Sequence, residues 1–321
     1  MKRTTIKDIA KLLNINVSTV SRALQNHSNV SLSLREKVKQ TAELLNYTPN
    51  SWAKNFRNNK SSLIGLIIPT MNMFFLPSVI QGITEVLSKK KYNLLILISD
   101  ESYEKEIENI AICCNQGVEG ILISLSAETN DIEHLKKVSE LEIPLVIFDK
   151  TVPQHLFNEV LINDDSTKEI IGEYFNTRKV KNVLGVFGNK NLGITNLREF
   201  GFRDKLDKAN ISYKIIYANN STEAQEKTEL ALKQQAYDSF FAMSDEVLAG
   251  IFSAFAESEV NPSEYHIVAI STGELPKFLA KNIYIIKHDG KLMGKKAAKI
   301  LLKNINKNNL TQTYKKYIAV S

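Results

Sequence analysis

A short stretch near the amino terminus combines hydroxyl side chains with one arginine. In VSTVSRAL, residues 17–24, Ser18, Thr19, Ser21 and Arg22 fall among apolar residues that recur at helical spacing. Short hydroxyl side chains let a helix backbone come close to phosphates and bond their oxygens. An arginine can fork onto a guanine, a contact that discriminates between bases by about 1–3 kcal/mol. The stretch therefore favours a helix that reads the major groove of DNA; the alternative is a helix whose serines only face solvent.

The residues around this stretch predict the helices that position it. Apolar residues at helical spacing indicate a first helix over about 6–13, and the polar break at 14–16 separates it from the second. A third helix begins after Ser31, or after Ser33 with a capping box, and continues through Leu45. Three short helices with a tight turn between the first two form a helix-turn-helix unit.

The basic residues are concentrated in the first fifth of the chain. Residues 1–60 contain 11 lysines and arginines but 3 acidic residues, a net charge of +8, whereas the remainder has a net charge of −2. A basic segment on a nearly neutral body predicts a polyanion as the partner of that segment. The charge alone is equally consistent with a basic surface that only faces solvent, so the prediction that the segment binds DNA rests on the charge together with the helix pattern.

The composition is typical of a globular protein. Hydrophobic residues make up 43% and charged residues 24% of the chain, and the sequence predicts neither a membrane span nor a secretory signal. The two cysteines, Cys113 and Cys114, are adjacent, which suits neither a disulfide framework nor a metal site. We therefore expect a cytoplasmic protein without a membrane partner.

Motifs of common enzyme classes are missing from the sequence. It contains no HExxH, GxSxG or GxGxxG, and its five histidines lack the spacing of metal ligands. GNKNLG, residues 188–193, has the glycine spacing of a phosphate loop, but Ile194 and Thr195 follow where lysine and then serine or threonine are needed. We therefore predict that the protein is not an enzyme and needs no cofactor or metal.

From Leu63 onward, short apolar segments alternate with amphipathic helical patterns. Near-continuous apolar strands indicate parallel sheets that are covered on both faces. Two successive series, beginning with LIGLIIP and VLGVFGN, suggest two similar lobes. The predicted fold class is α/β: an all-helical N-terminal head followed by a two-lobed, doubly wound parallel-sheet core. Ligands of such sheets lie at the carboxyl ends of the strands, so we expect a ligand cleft between the lobes.

Residues 4–57 resemble the DNA-binding head of the lactose-repressor/galactose-repressor family of bacterial transcription regulators. The matching segments are TIKDIAKLLNINVSTVSRALQN, VSLSLREKV and LNYTPNSWAKNF. The resemblance implies a homodimer that binds a near-palindromic operator in double-stranded DNA, most often as a repressor. It also implies a head at 1–48, a hinge helix and linker at 49–62, and an effector-binding core at 63–321 that is like a periplasmic sugar-binding protein.

The resemblance further assigns roles to single residues of the head. Those that would contact the DNA backbone are Thr5, Asn16, Thr19, Ser21, Asn29 and Ser31. Those that would face bases are Val17, Ser18 and Arg22. The hinge helix, residues 50–57, would lie in the minor groove beside its dimer mate, and its candidate DNA contacts are Asn50, Ala53, Lys54 and Phe56.

Phe56 stands where the family usually has a leucine that opens a central base step. Phenylalanine is also able to wedge between bases and kink a duplex, so we predict that Phe56 inserts in the same way. Replacing Phe56 with alanine should therefore lower both operator affinity and operator bending, measured by gel mobility of circularly permuted DNA fragments. Unchanged affinity and bending would contradict the wedge.

In the core, the resemblance implies a cleft whose closure tunes the hinge helices. The two lobes are expected at about 63–161 with 289–314, and at about 162–288 with 315–321. The positions that match effector-binding residues are Phe74, Phe75, Asp149, Arg198 and Asp245. Ser244, Ser271 and Asn220 stand where the family often has an asparagine, a sugar-binding aspartate and a stacking aromatic residue.

The chemistry of this cleft leaves alternatives open. Phe74 and Phe75 are either ligand contacts or core aromatics, and Arg198 either binds a ligand or only braces a helix. The changes at Ser271 and Asn220 remove charge-assisted bonds and a stacking surface for a free pyranose. The expected effector is a sugar or sugar derivative held differently, including a phosphorylated sugar. The alternatives are a regulator controlled by a protein partner or without an effector and, less favoured, a solute-binding protein.

Overall fold

The structure is a computed structural model that describes residues 4–47, 61–71, 74–150, 156–307 and 315–320. The chain divides into two compact units, Met1–Ser61 and Ser62–Ser321, which we call the head and the core. The predicted fold class is confirmed, because helices in the head precede two parallel sheets with alternating helices in the core. None of the helices within the described ranges is long and apolar enough to span a membrane.

The head consists of α1 (Ile6–Leu13), α2 (Val17–Leu24) and α3 (Leu32–Leu44). At the start of α1, the amide and hydroxyl of Thr5 both donate to Asp8 Oδ2, at 2.8 and 2.7 Å. Asn14 ends α1 in the left-handed region, with φ 52°, which asparagine tolerates better than most residues. Of the two predicted caps of α3, the structure selects Ser31, whose hydroxyl oxygen accepts from the Leu34 amide at 3.4 Å.

The apolar stripes of these helices meet in one small core. Ile9, Val20, Ala23 and Val38 are fully buried there, one or two from each helix. Helices as short as α1 and α2, with eight residues each, are marginal on their own. Mutual burial of the apolar stripes therefore stabilises the head.

The first sheet of the core consists of β1 (Leu63–Ile68), β2 (Asn93–Ile98), β3 (Gly120–Ile123), β4 (Leu145–Phe148), β5 (Asn158–Ile162) and β11 (Lys315–Ile318). The strands pair in parallel in the order β11, β5, β4, β3, β1, β2. The helices α4 (Phe75–Ser88) and α12 (Gly290–Lys307) cover one face, and α5 (Tyr103–Asn115) and α6 (Glu133–Glu140) cover the other. Burial on both faces explains the near-continuous apolar strands.

The second sheet consists of β6 (Asn182–Phe187), β7 (Ser212–Tyr217), β8 (Ser239–Ala242), β9 (His266–Ser271) and β10 (Ile283–Lys287), paired in parallel in the order β10, β9, β8, β6, β7. Its helices are α7 (Asp164–Thr177), α8 (Gly193–Lys208), α9 (Ser221–Gln234), α10 (Asp245–Glu257) and the short α11 (Pro276–Leu279). Two groups of packed rings help to fill its core: Phe187, Phe202 and Phe241 form one, and Phe240, Phe255 and Tyr265 form the other.

The predicted assignment of residues 315–321 to the second lobe is wrong for the strand that the structure describes there. β11 pairs with β5 in the first sheet, from Lys315 opposite Glu159 to Ile318 opposite Ile162. The Asn163 amide also donates to the Ile318 carbonyl at 3.0 Å. Ile318 is fully buried in the first lobe, and its strand covers the otherwise open edge of β5.

Glycines bring α4 and α12 into close contact. A Cβ at Gly82 would overlap the carbonyl of Lys291, and one at Gly294 would overlap the carbonyl of Val79. Gly290 lies beside Phe75 and Ser78, whereas Gly294 lies further along beside Val79 and Ile83. The two helices therefore run in the same direction, and both end at the amino edge of the first sheet.

Candidate DNA-binding surface and effector cleft

The predicted base-reading residues share the exposed side of α2. Val17, Ser18 and Arg22 are exposed, while Val20 and Ala23 are buried against the other head helices. Ser18 and Arg22 are four residues apart and therefore neighbours on one helix face. Arg22 makes no ion pair with any residue that the structure describes. Its guanidinium is thus available for a fork onto a base.

The residues predicted to contact the DNA backbone surround this face. Thr5, Asn16, Asn29 and Ser31 are exposed, and Thr19 and Ser21 are half-buried. Two of them also have structural roles, because Thr5 and Ser31 lie at the starts of α1 and α3. A cap position leaves the first amides of a helix close by, and such amides favour phosphate oxygens. The hinge positions Asn50, Ala53, Lys54 and Phe56 lie outside the described residues.

In the core, four polar side chains meet at the carboxyl ends of strands from both sheets. Arg198 of α8 donates from Nε to Asp164 Oδ1 at 2.7 Å, and its Nη2 lies 3.2 Å from His288 Nδ1. His288 follows β10, and its Nε2 lies 3.3 Å from Thr167 Oγ1. The predicted ligand residue Arg198 therefore also braces the first turn of α7, so it has the structural role left open above.

His288 is neutral in this arrangement. Burial lowers the pKa of His288 well below its ordinary value, and the neighbouring charge of Arg198 lowers this pKa further. A neutral ring has one acceptor nitrogen and one donor. Since Arg198 donates to Nδ1, Nε2 carries the proton and donates to the Thr167 hydroxyl.

Asp149, which follows β4, faces the same cluster. It adopts the left-handed conformation, with φ 68°, and its Oδ2 lies 3.5 Å from the Ser124 hydroxyl. Burial raises the pKa of Asp149, while the charges of Lys150 and Arg198 oppose that rise and the charge of Asp164 adds to it. The carboxylate thus lies within electrostatic range of the guanidinium. Two acidic residues of the cleft, Asp149 and Asp164, therefore share the influence of one cation.

A cavity of about 640 Å³ opens beside this cluster. Its wall comes from the segments that follow β3, β4 and β5, from the start of α8 and from β11. Its polar lining residues include Asp149, Lys150, Asp164, Asn191, Asn196 and Lys315. Asp149 is the predicted effector residue in this lining, and Arg198 is bonded to the lining residue Asp164. The volume is within the usual range for small-molecule pockets.

Four of the other predicted effector residues have partners within the second lobe. Ser271 donates to Asp245 Oδ1, and the amide and hydroxyl of Thr272 donate to Asp245 Oδ2 at 3.0 and 3.1 Å. Asn220 and Ser244 are the N-caps of α9 and α10. These contacts join β9 to α10 and complete two helix ends. Ligand binding by these four residues stays a prediction.

The two predicted aromatic contacts lie at the start of α4. Phe75 packs against the buried cluster of the first lobe, in agreement with the core alternative, and Phe74 is half-buried at the N-cap position. Sequence reasoning missed Asp164, Asn191 and His288. In the structure each follows directly or closely on a strand, namely β5, β6 and β10, and a polar residue near the end of an apolar segment was the available signal.

Comparison with known proteins agrees with both units. Residues 5–50 match the model of the bacterial regulatory proteins of the lacI family, and residues 64–309 match a periplasmic binding protein domain. A ribose operon repressor from Halalkalibacterium halodurans is 27% identical over 315 residues, covering 97% of this chain and 93% of that protein.

Solved structures share the fold. The lac repressor dimer bound to operator and the anti-inducer ONPF superimposes with a TM-score of 0.84 at 19% identity, over 100% of this chain and 97% of that one. A LacI family regulator from Enterococcus faecium with bound ribose superimposes with a TM-score of 0.72 at 19% identity, over 81% and 96%. The chain therefore belongs to the lacI family of bacterial regulatory proteins, and it is a transcriptional repressor of that type and not an enzyme.

Proposed function

We propose that this repressor acts as a homodimer on a two-fold operator, and that a neutral sugar in the cleft of the core changes its affinity for DNA. One observation carries the effector part of the proposal: Asp149 and Asp164 both line the cavity, and the guanidinium of Arg198 bonds Asp164 at 2.7 Å. Sugar hydroxyls both donate and accept. A wall that offers both carboxylate acceptors and a guanidinium donor therefore suits sugar hydroxyls. Hydrogen bonds to such charged groups are stronger than those between neutral groups.

The charges of the cleft favour a neutral sugar over a phosphorylated one. Arg198 already pairs with Asp164, and Lys150 pairs with Glu101, with Nζ 2.9 Å from both carboxylate oxygens. A phosphate would therefore meet partly neutralised cations and the carboxylates of Asp149 and Asp165, which would repel it. A neutral ligand has no such cost.

The relatives suggest which sugars to try first. The similar protein from Halalkalibacterium halodurans is a ribose operon repressor, and the Enterococcus faecium regulator holds ribose. Ribose and other pentoses are therefore the first ligands for isothermal titration calorimetry, followed by hexoses and sugar phosphates. If no sugar binds and a cell protein changes operator affinity instead, the protein-partner alternative replaces this proposal.

Operator binding is tested by selection of the full chain against a pool of random duplexes. The exposed face of Val17, Ser18 and Arg22 supports sequence preference, and the basic head supports binding that weakens steeply with added salt. We expect a selected site with two-fold symmetry and, by sedimentation, a dimer on it. A solute-binding protein would retain no duplex in such a selection.

Replacing Asp149 with asparagine should weaken sugar binding by roughly 10- to 150-fold, because a hydrogen bond to a charged acceptor contributes about 1.5–3 kcal/mol. Calorimetry measures this loss, and operator affinity without sugar should stay unchanged. Asp204→Asn is the matched control, since Asp204 is a carboxylate on α8 that pairs with Lys208 outside the cavity lining. If Asp149→Asn and Asp204→Asn bind the sugar with equal affinity, Asp149 does not contact the sugar.

A further inference from the structure

A run of three lysines follows α4 and begins the short segment that leads to β2. Lys89, Lys90 and Lys91 are all exposed, and none of them forms an ion pair or side-chain hydrogen bond with the described residues. Three adjacent unpaired cations raise the local potential well above that of a dispersed surface. The run stands out in a chain whose residues after 60 have a net charge of −2.

The run lies where the chain enters the core from the head. Leu63 is opposite Asn93 in the first sheet, and the Asn93 amide donates to the Ser62 carbonyl at 2.8 Å. Lys91 is two residues before Asn93, so the lysines and the first residue of β1 share the amino edge of this sheet. The linker to the head therefore begins beside them.

The end of α12 adds positive charge at the same edge. The side chain of Ile305 reaches over Gly120, the first residue of β3, so the last turns of α12 lie at this edge too. Lys299 is exposed on those turns. We call Lys89, Lys90, Lys91 and Lys299 the lysine edge.

Nearby carboxylates are already engaged. Glu85 bonds Lys291 and Lys295, and these two cations lower the pKa of Glu85 to about 2. Glu119 accepts from the Ser62 amide at 2.6 Å and from the Tyr92 hydroxyl at 2.9 Å. Two other lysines therefore balance Glu85, whereas Glu119 bonds neutral donors, keeps its negative charge and offsets part of the charge of Lys89, Lys90 and Lys91.

We propose that the lysine edge contacts phosphates of the DNA duplex that flank the site read by the head. The inference rests on DNA binding by the head and adds a second contact surface on the core. The chain from the head joins the core at Ser62, whose carbonyl accepts from the Asn93 amide at this edge. Duplex DNA offers one negative charge per roughly 1.7 Å of its axis, which complements a cluster of exposed lysines.

The test compares two lengths of the selected duplex, one ending at the site and one extended by about one helical turn on each side. Affinities of the full chain are measured by fluorescence anisotropy over a series of salt concentrations. The native protein should bind the longer duplex more tightly and with a steeper dependence on salt. The K89Q/K91Q variant should bind both duplexes with similar affinity. For the longer duplex, the slope of log affinity against log salt concentration should become shallower by about 0.9 for each phosphate that the variant no longer neutralises.

The matched control is K179Q/K181Q at the amino edge of the second sheet, just before β6. Lys91 and Lys179 both have left-handed backbones, with φ 60° and 54°, so the two pairs remove equal charge from similar turns. The control should keep the full gain. Absence of a length effect in the native protein, or equal loss in both variants, overturns the proposal and leaves an acidic protein as the partner to test.

Failure of this proposal is distinguishable from failure of operator binding. K89Q/K91Q should still prefer the short selected duplex over a random duplex of equal length, because the head is unchanged. Loss of that preference in the native protein would instead refute DNA reading by the head, and the lysine edge with it.

Discussion

Replacing Arg22 with alanine is expected to lower affinity for the selected operator by about 1–3 kcal/mol per half-site, roughly 5- to 150-fold, because it removes a bidentate interaction with guanine. Arg22 is exposed on α2 beside Ser18 and has no ion-pair partner among the described residues. Anisotropy titrations against the selected operator and a random duplex of equal length measure the loss. Affinity for the random duplex should fall much less.

Lys39→Ala is the control, since Lys39 is an exposed cation on α3 of the same head. It removes the same charge without a base-facing position, so it should weaken both duplexes alike. If Arg22→Ala also weakens both duplexes alike, Arg22 contacts phosphate and reads no base.

Replacing Arg198 with methionine is expected to lower the free energy of unfolding of the core by about 3–5 kcal/mol, because it leaves Asp164 buried without its charged partner. The side chains of Arg198 and Asp164 are 10% and 9% exposed, so water cannot replace the missing bond. His288 also loses its donor to Nδ1. Urea unfolding followed by circular dichroism measures the change, and sugar binding should be lost as well.

Arg203→Met on the same helix provides the control. Arg203 pairs with Glu199 at 2.8 Å but is 44% exposed, so its loss should cost less than about 1 kcal/mol. Adding Asp164→Asn to Arg198→Met should recover part of the stability, because the buried charge is then removed. If Arg198→Met and Arg203→Met unfold at the same urea concentration, the pair with Asp164 contributes little.

Periodicity predicts the buried strands of this fold better than its edges. LIGLIIP and VLGVFGN, which begin the two predicted series, coincide with β1 and β6, because burial on both faces leaves an apolar run in the sequence. β11 was missed because it is an edge strand. Lys315, Lys316 and Tyr317 are exposed and Ile318 alone is buried, so the segment has no apolar run to detect.

The cleft was predicted only in part, since spatial convergence depends on topology. Asp149 lies at the end of a predicted strand, and the family resemblance identified it as an effector residue. His288 and Arg198 are 90 residues apart in sequence, and no pattern along the chain signals that they meet. Asn220 has a structural role that the sequence also signals: Glu223 follows three residues later, a spacing that is typical of a helix cap.

The position of Arg198 has a mechanical consequence. The backbone passes between the lobes just before Asp164 and just after His288, and one guanidinium bonds both of these side chains. Arg198 therefore links the two segments of chain that cross between the lobes. Movement of one crossing segment strains the bond of Arg198 to the other, so the lobes cannot pivot about the two segments independently. A ligand that draws Arg198 toward the cavity would loosen both crossing segments together.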